Sequence, residues 1–179
     1  MDIMLDLETL SFATDAAIVS IGACTFATDG TVSPQRRIFR QVVHPDTAQA
    51  AGGRIDAQTV IWWMGQTDAA RAAWTQAPAV SIRSALEKFA LWCQPDFPEE
   101  RVRVWGNGVG FDNIILRSAY DRCSVAPPWR HQDDRCYRTL KNLRPDVAYE
   151  QIGIAHEAAD DAVSQAVHAE RIFAALKGA

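Results

Sequence analysis

The sequence predicts an α/β fold in which a mixed β-sheet is flanked by helices. Apolar runs of strand length come first, several helical patterns follow, and a strand that breaks at glycines then opens a further helix. With 179 residues, 48% of them hydrophobic, the chain is long enough to bury a sizeable core. We therefore expect a single domain spanning residues 1–179.

The first ten residues, MDIMLDLETL, are predicted to form a buried strand. Because side chains alternate between the faces of a strand, apolar residues would line one face while Asp6 and Glu8 share the other. Two neighbouring carboxylates repel each other unless a proton or a cation compensates, and magnesium and manganese prefer such oxygen ligands. An isolated Asp-x-Glu is better explained as a strand end followed by a polar turn, so the later residues decide between the two interpretations.

Two more strands are predicted over residues 16–26 and 35–43, antiparallel to each other because only a turn signal, Asp29-Gly30, separates them. Residues 44–55 are predicted to be a loop. Three helices should then begin after Asp56, after Thr67-Asp68 and after Ser81. The third has apolar residues at three- and four-residue spacing, which predicts one buried stripe.

A short strand over residues 102–105 enters GNGVGFD, the pattern of a βα junction, and this places Asp112 where ligands collect in α/β sheets. Residues 129–144 follow, with Arg135, Arg138 and Lys141 on one predicted helical stripe. The last predicted helix, residues 158–176, has a mostly alanine inner face that can lie close against a sheet.

Composition excludes several classes of protein. A net charge of −4 argues against a protein that coats nucleic acid through bulk electrostatics. Four cysteines without CxxC spacing predict neither a zinc site nor a disulfide framework. No apolar segment has the length of a membrane span, and no basic region precedes an apolar run near the N-terminus, so we expect a cytoplasmic protein without a membrane partner.

Four acids recur at similar structural places: Asp6 and Glu8 on the first strand, Asp112 at the βα junction, and Asp161 in the first turns of the last helix. His156 precedes Asp161 by five residues. That spacing turns a helix by more than a right angle, so His156 is expected on the loop just before the helix.

These residues resemble the motifs of DEDDh-type 3′–5′ exonucleases, the DnaQ-like group of the ribonuclease H-like superfamily. DLET matches the first motif, GNGVGFDN the second and HEAADDA the third, in which His156 and Asp161 fit the H-x-x-x-x-D form. Asp160 lies outside this form and is expected to be dispensable. Asn107 lies five residues before Asp112, whereas many relatives have an asparagine four residues before, so no role is assigned to it.

The resemblance covers residues 2 to about 175. Trp62-Trp63, WGNGVGFDN and CYRTL most resemble the bacterial and phage branch called exonuclease VIII-like or Rv2179c-like. This resemblance implies a ribonuclease H-like mixed sheet. It also implies hydrolysis of phosphodiester bonds at the 3′ ends of single-stranded DNA or RNA, releasing nucleoside 5′-monophosphates. The choice between DNA and RNA stays open, as does the oligomeric state, for which a homodimer is one alternative.

The resemblance also implies roles for the site residues. Two Mg²⁺ or Mn²⁺ ions would be held by Asp6, Glu8, Asp112 and Asp161, which suits two-metal hydrolysis of a phosphodiester. His156 would act as general base, since a histidine side chain titrates close to neutral pH. The alternatives are a catalytically inactive nucleic-acid-binding module of the same fold, and a structural or small-molecule-binding protein in which the acids are helix caps and surface charges.

The predicted substrate-binding residues are Thr9, Leu10, Trp62, Trp63, Arg135 and Arg138. The resemblance suggests that the first two contact the terminal nucleotide, although a core position is an equal alternative for Leu10. The tryptophans could stack on exposed bases or could form core and rim. The arginines, with Lys141, could guide backbone phosphates or could form a solvated basic face.

Overall fold

The computed structural model describes residues 1–33, 35–95, 97 and 99–178. It contains the predicted mixed sheet flanked by helices. The strands in these ranges are β1 (Asp2–Thr9), β2 (Ile18–Phe26), β3 (Ile38–Val43), β4 (Ala79–Val80), β5 (Arg103–Gly106) and β6 (Asp134–Cys136). The helices are α1 (Pro45–Ala50), α2 (Ala57–Met64), α3 (Asp68–Thr75), α4 (Ile82–Trp92), α5 (Asp112–Cys123), α6 (Tyr137–Leu143) and α7 (Ala158–Lys177).

The strands lie in the order β4-β3-β2-β1-β5-β6. Strand β2 is antiparallel to β3, as predicted, and is also antiparallel to β1, whereas β5 runs parallel to β1. The expected alternation of β1 side chains between the two faces of the sheet is confirmed. Ile3, Leu5 and Leu7 belong to one buried apolar cluster, and Met4 belongs to another on the opposite face. Since parallel β1 and β5 end at the same edge, the acids of β1 lie beside the start of α5.

Helix α7 begins directly against β2. A Cβ atom on Gly22 would lie 2.0 Å from the carbonyl carbon of Ala158, so a side chain there would push the helix away. Three alanines continue the close contact along α7, because Ala162, Ala166 and Ala169 are fully buried. This packing fixes the first turn of α7, which carries Asp161, over the sheet.

Some local predictions were wrong. Residues 44–55 contain α1, which starts at Pro45, a residue suited to the first turn of a helix. Arg135 lies in β6, so it shares no helical stripe with Arg138 and Lys141, which are on α6. Strand β6 forms because it pairs with β5, a long-range contact without a local sequence signal. Throughout the described ranges, every helix is too short or too polar to cross a bilayer.

Candidate active site

A cavity of about 770 Å³ opens where β1 and β5 end and α7 begins. The five residues predicted to be catalytic all line it: Asp6, Glu8, Asp112, His156 and Asp161. They come from four separate parts of the chain, and the sheet topology brings them together. Their roles in catalysis stay predictions, whereas their convergence on one cavity is a feature of the fold.

The two acids of β1 face the cavity in a poorly hydrated environment. Glu8 is 7% exposed, and burial, followed by repulsion from Asp161, raises its pKa to about 8. Burial and the neighbouring Asp112 carboxylate likewise hold the pKa of Asp6 well above its usual range. The side-chain amide of Gln165 donates a hydrogen bond from Nε2 to Asp6 Oδ1 (2.7 Å), which opposes that shift.

Asp112 is the first residue of α5 and is only 2% exposed. Burial raises its pKa to about 7, although backbone N–H groups, among them that of Leu7 at 3.3 Å from Oδ1, favour the ionised form. A Cβ atom on Gly106 would lie 2.9 Å from the Asp112 Cβ and 2.4 Å from Asn113 Oδ1. The glycine that ends β5 is therefore required for α5 to turn in so closely.

Asp161 connects α7 to the loop before it. Its Oδ2 accepts a hydrogen bond from the backbone N–H of His156 (3.0 Å), and its Oδ1 accepts one from Gln151 Nε2 (2.6 Å). Burial nevertheless raises the pKa of Asp161. His156 precedes the helix, as expected, and potential ligand atoms of Glu8, His156 and Asp161 all lie within 4.8 Å of one another.

Four carboxylates with raised pKa values therefore share one cavity. Their repulsion destabilises the ionised state unless protons or cations bind among them. Carboxylate oxygens suit Mg²⁺ and Mn²⁺, and an imidazole nitrogen at the edge of the group suits proton transfer or ligation. The donor set thus fits a divalent metal site.

The predicted substrate-binding residues divide into two groups. Thr9, Trp62, Trp63 and Arg138 line the cavity, together with Lys141. Leu10 and Arg135 are absent from the described residues that line it.

Their positions have physical reasons. Leu10 is 6% exposed and packs in the larger apolar cluster. It therefore takes the core position that was the alternative to substrate binding, and its side chain has almost no exposed surface for a base. Nη1 of Arg135 donates to the backbone carbonyls of Gln132 (3.0 Å) and Asp134 (2.9 Å), which turns this side of the guanidinium toward the neighbouring backbone. Substrate contact by Arg135 stays a prediction.

The two tryptophans form core and rim. Trp63 is 3% exposed, and its indole N–H donates to the carbonyl of Thr9 (2.9 Å). Trp62 is 42% exposed, and its ring meets the ring of His156 edge to face, with centroids 5.0 Å apart and an interplanar angle of 84°. Base stacking by Trp62 stays a prediction, while Trp63 supports the end of β1.

Sequence reasoning missed several lining residues. Gln165 lies four residues after Asp161 on the same face of α7, so helical periodicity could have found it. Asn107, to which no role was given, lines the cavity with a buried side-chain oxygen that lacks a hydrogen-bond partner among the described residues. Phe12 is 74% exposed at the rim, with its ring centroid 6.0 Å from that of Phe111. Its exposure depends on the path of the chain after β1, for which no sequence signal was available.

The fold is similar to that of solved exonuclease I structures. A structure of exonuclease I described in terms of processivity has a TM-score of 0.60 at 17% identity, covering 99% of this chain and 43% of that one. A zinc-bound complex of Escherichia coli exonuclease I with single-stranded DNA has a TM-score of 0.59 at 16% identity, covering 99% and 42%. The E. coli enzyme with a dT13 oligonucleotide has a TM-score of 0.57 at 15% identity, covering 94% and 40%.

This similarity confirms the predicted ribonuclease H-like fold. The chain spans less than half the length of those exonuclease I chains. No curated protein matches the sequence significantly. A family model matches residues 1–173, nearly the whole chain, and agrees with the Rv2179c-like resemblance, while an exonuclease VIII-like relationship stays a prediction. The chain therefore belongs to the family described as the Rv2179c-like 3′–5′ exoribonuclease domain.

Proposed function

We propose that this chain is a metal-dependent 3′–5′ exonuclease of the DEDDh type that removes nucleoside 5′-monophosphates from single-stranded nucleic acid. The observation that carries the proposal is the convergence of four acids and His156 on one cavity. Membership of a 3′–5′ exoribonuclease family supports the reaction and its direction. The complexes of E. coli exonuclease I with single-stranded oligonucleotides support a single-stranded substrate.

The acids Asp6, Glu8, Asp112 and Asp161 would hold two Mg²⁺ or Mn²⁺ ions. When bound, such ions stabilise negative charge on a phosphate and lower the pKa of a water molecule. The protein's own contribution is to hold these carboxylates ready. Gln165 orients Asp6, the Leu7 backbone N–H orients Asp112, and the His156 backbone N–H orients Asp161.

His156 moves the proton. A ring nitrogen of His156 accepts the proton of the attacking water, because the imidazole lies beside Glu8 and Asp161 at the edge of the acidic group. Arg138 and Lys141 lie on the cavity wall, where they contact backbone phosphates of the substrate. Trp62 and Phe12 offer exposed aromatic surfaces to unstacked bases. Stacking of bases on these rings binds a single strand without reading its sequence.

Single-stranded 3′ ends should react fastest. A base inside a duplex must first be unpaired, which costs a few kcal/mol, before it reaches the aromatic rim. A 5′-labelled single strand should therefore give a ladder shortened from its 3′ end on a denaturing gel, with a blunt duplex cut more slowly. Matched DNA and RNA oligonucleotides in the same assay identify the preferred sugar.

A circular single strand is the control for this assay, since it has no end to enter the cavity. It should stay intact. Cleavage of the circle would identify an endonuclease and would overturn the proposed use of the cavity. Release of the label as a mononucleotide from the start, without a ladder, would show degradation from the 5′ end and would overturn the direction.

Metal binding should strengthen as the pH rises from about 6 to about 8. The pKa of Asp112 is raised to about 7 and that of Glu8 to about 8, so both are largely protonated at the lower pH and must lose protons before they bind a cation. Titration calorimetry with Mn²⁺ in two buffers of different ionisation enthalpy should show net proton release that shrinks above about pH 8. Affinity independent of pH, without proton release, would contradict the assignment of these ligands.

A further inference from the structure

Asp160, the acid beside Asp161, is bonded to the loop that carries His156. Its Oδ2 accepts a hydrogen bond from the backbone N–H of Ile154 (2.8 Å). Gly153, with a φ of 72°, passes directly over this carboxylate, and a Cβ atom there would lie 2.2 Å from Asp160 Oδ2. The loop therefore crosses Asp160 at a distance that only glycine allows.

A second set of bonds fixes Asp160 from the other side. Arg40 on β3 contacts two acids at the start of α7: Nη2 bonds Asp160 Oδ1 (2.8 Å) and Nη1 lies 3.0 Å from Glu157 Oε2. Glu157 also caps α7, since its Oε2 accepts the backbone N–H of Asp160 (2.8 Å). Glu157 is 3% exposed, so this arginine supplies the positive charge beside a buried acid.

His156 lies between these anchor points in a conformation that needs them. Its φ is 64°, in the left-handed region that non-glycine residues seldom adopt without support from their surroundings. Ile154 is tied to Asp160, Glu157 caps the helix, and the His156 N–H itself donates to Asp161. Release of the bond at Ile154 would allow the loop, and the imidazole with it, to relax away from the acids.

We propose that Asp160, held by Arg40, is a positioning residue that fixes the loop 151–156 and thereby the imidazole of His156. Asp160 is outside the described lining of the cavity, so it acts through the loop and does not touch substrate. This inference rests on the proposed function, in which His156 transfers a proton. It replaces the expectation from the motif alone that Asp160 is dispensable.

The test compares Asp160→Ala with Asp160→Asn. Alanine removes the acceptor for the Ile154 N–H, and kcat should fall roughly 10–100-fold, the scale of a misplaced catalytic group, while KM and Mn²⁺ affinity stay within about twofold. Asparagine keeps an acceptor oxygen for the Ile154 N–H and loses only the ion pair with the half-exposed Arg40, so kcat should stay within about threefold of the parent value. Glu87→Ala is the matched control. It removes the acid of an exposed ion pair between Glu87 and Arg83, both on α4, which is distant in sequence from Asp160. This variant should keep the kcat of the parent.

A double-mutant cycle with His156→Ala shows whether the loss of kcat in Asp160→Ala is transmitted through His156. In that background Asp160→Ala should cost no further activity, since the group that it positions is gone. An equal loss in both backgrounds, or a parental kcat in Asp160→Ala alone, would overturn the proposal.

Hydrogen exchange separates this inference from the proposed function. In Asp160→Ala the amides of Ile154 and His156 should exchange faster than in the parent, while those in the middle of α7 keep their protection. If the parent hydrolyses no nucleic acid but the loop loses protection, the proposed function fails and the anchoring role of Asp160 stands. Unchanged protection at both amides would overturn the anchoring role, whatever the activity.

Discussion

Replacing any one of the four acids Asp6, Glu8, Asp112 and Asp161 by alanine is expected to abolish hydrolysis while leaving the protein folded. We expect a loss of at least about 10³-fold in kcat, because each acid would supply ligand oxygens for metal-assisted hydrolysis. The conservative variants Glu8→Gln and Asp112→Asn should lose as much activity. Asp112→Asn keeps an acceptor for the Leu7 N–H, so it removes charge without leaving that buried donor unpaired.

The charge-removing variants Glu8→Gln and Asp112→Asn should stabilise the metal-free protein, and Glu8→Gln shows the expected sign most directly. In the unfolded chain Glu8 ionises above pH 4.5, whereas in the fold it ionises only above about 8. Between these values the folded state binds more protons, so the stability of the parent falls as the pH rises. The advantage of Glu8→Gln should therefore be absent below pH 4.5 and largest above about pH 8, with an upper limit of about 5 kcal/mol.

Thermal unfolding in a metal chelator across that pH range measures this difference. Added Mn²⁺ should then raise the melting temperature of the parent more than that of the variant, because binding to the folded state stabilises it. Near-parental turnover in one of the four variants would exclude that residue from the site. A Glu8→Gln variant less stable than the parent at high pH would show that the buried Glu8 charge, among its neighbouring carboxylates, does not destabilise the metal-free fold.

The parts of the fold that were predicted have strong local signals. Strand β1 is an apolar run in which leucines and acids alternate from Leu5 to Glu8, and α7 combines a helical pattern with a run of small residues on one face. By contrast, β4 has two residues and β6 three, too few for a period to be detected. They exist because Val42 pairs with Ala79, and Trp105 with Arg135, contacts that only the complete fold creates.

The residues of the site divide in the same way, into those with a local sequence signal and those placed by distant contacts. Motif spacing was enough to select the five predicted catalytic residues, all of which line the cavity. The strand end, the βα junction and the helix start that carry them each have a local sequence pattern. Whether a side chain near those motifs faces the cavity depends on packing from distant elements. Leu10 is buried although it follows the acids directly, and Asp160 gains its contact from Arg40, which is 120 residues away in sequence.

Replacing His156 by alanine should lower kcat by about 10²–10⁴-fold, the range for a positioned general base. The four acids remain, so Mn²⁺ should still bind and should still raise the melting temperature. Mn²⁺ affinity also separates two roles for the imidazole, because a ring nitrogen lies within 4.8 Å of ligand oxygens of Glu8 and Asp161. A general base can be lost without a change in affinity, whereas loss of a ligand weakens binding.

The control is His131→Ala, which removes an exposed histidine outside the described lining of the cavity and should leave kcat unchanged. Added imidazole should restore part of the activity of His156→Ala, because the substitution opens space beside the ring of Trp62, where a free base can take the place of the missing imidazole. Parental kcat in His156→Ala would remove His156 from proton transfer. A large loss of Mn²⁺ affinity without imidazole rescue would instead make His156 a metal ligand, and the attacking water would then have to lose its proton to another group.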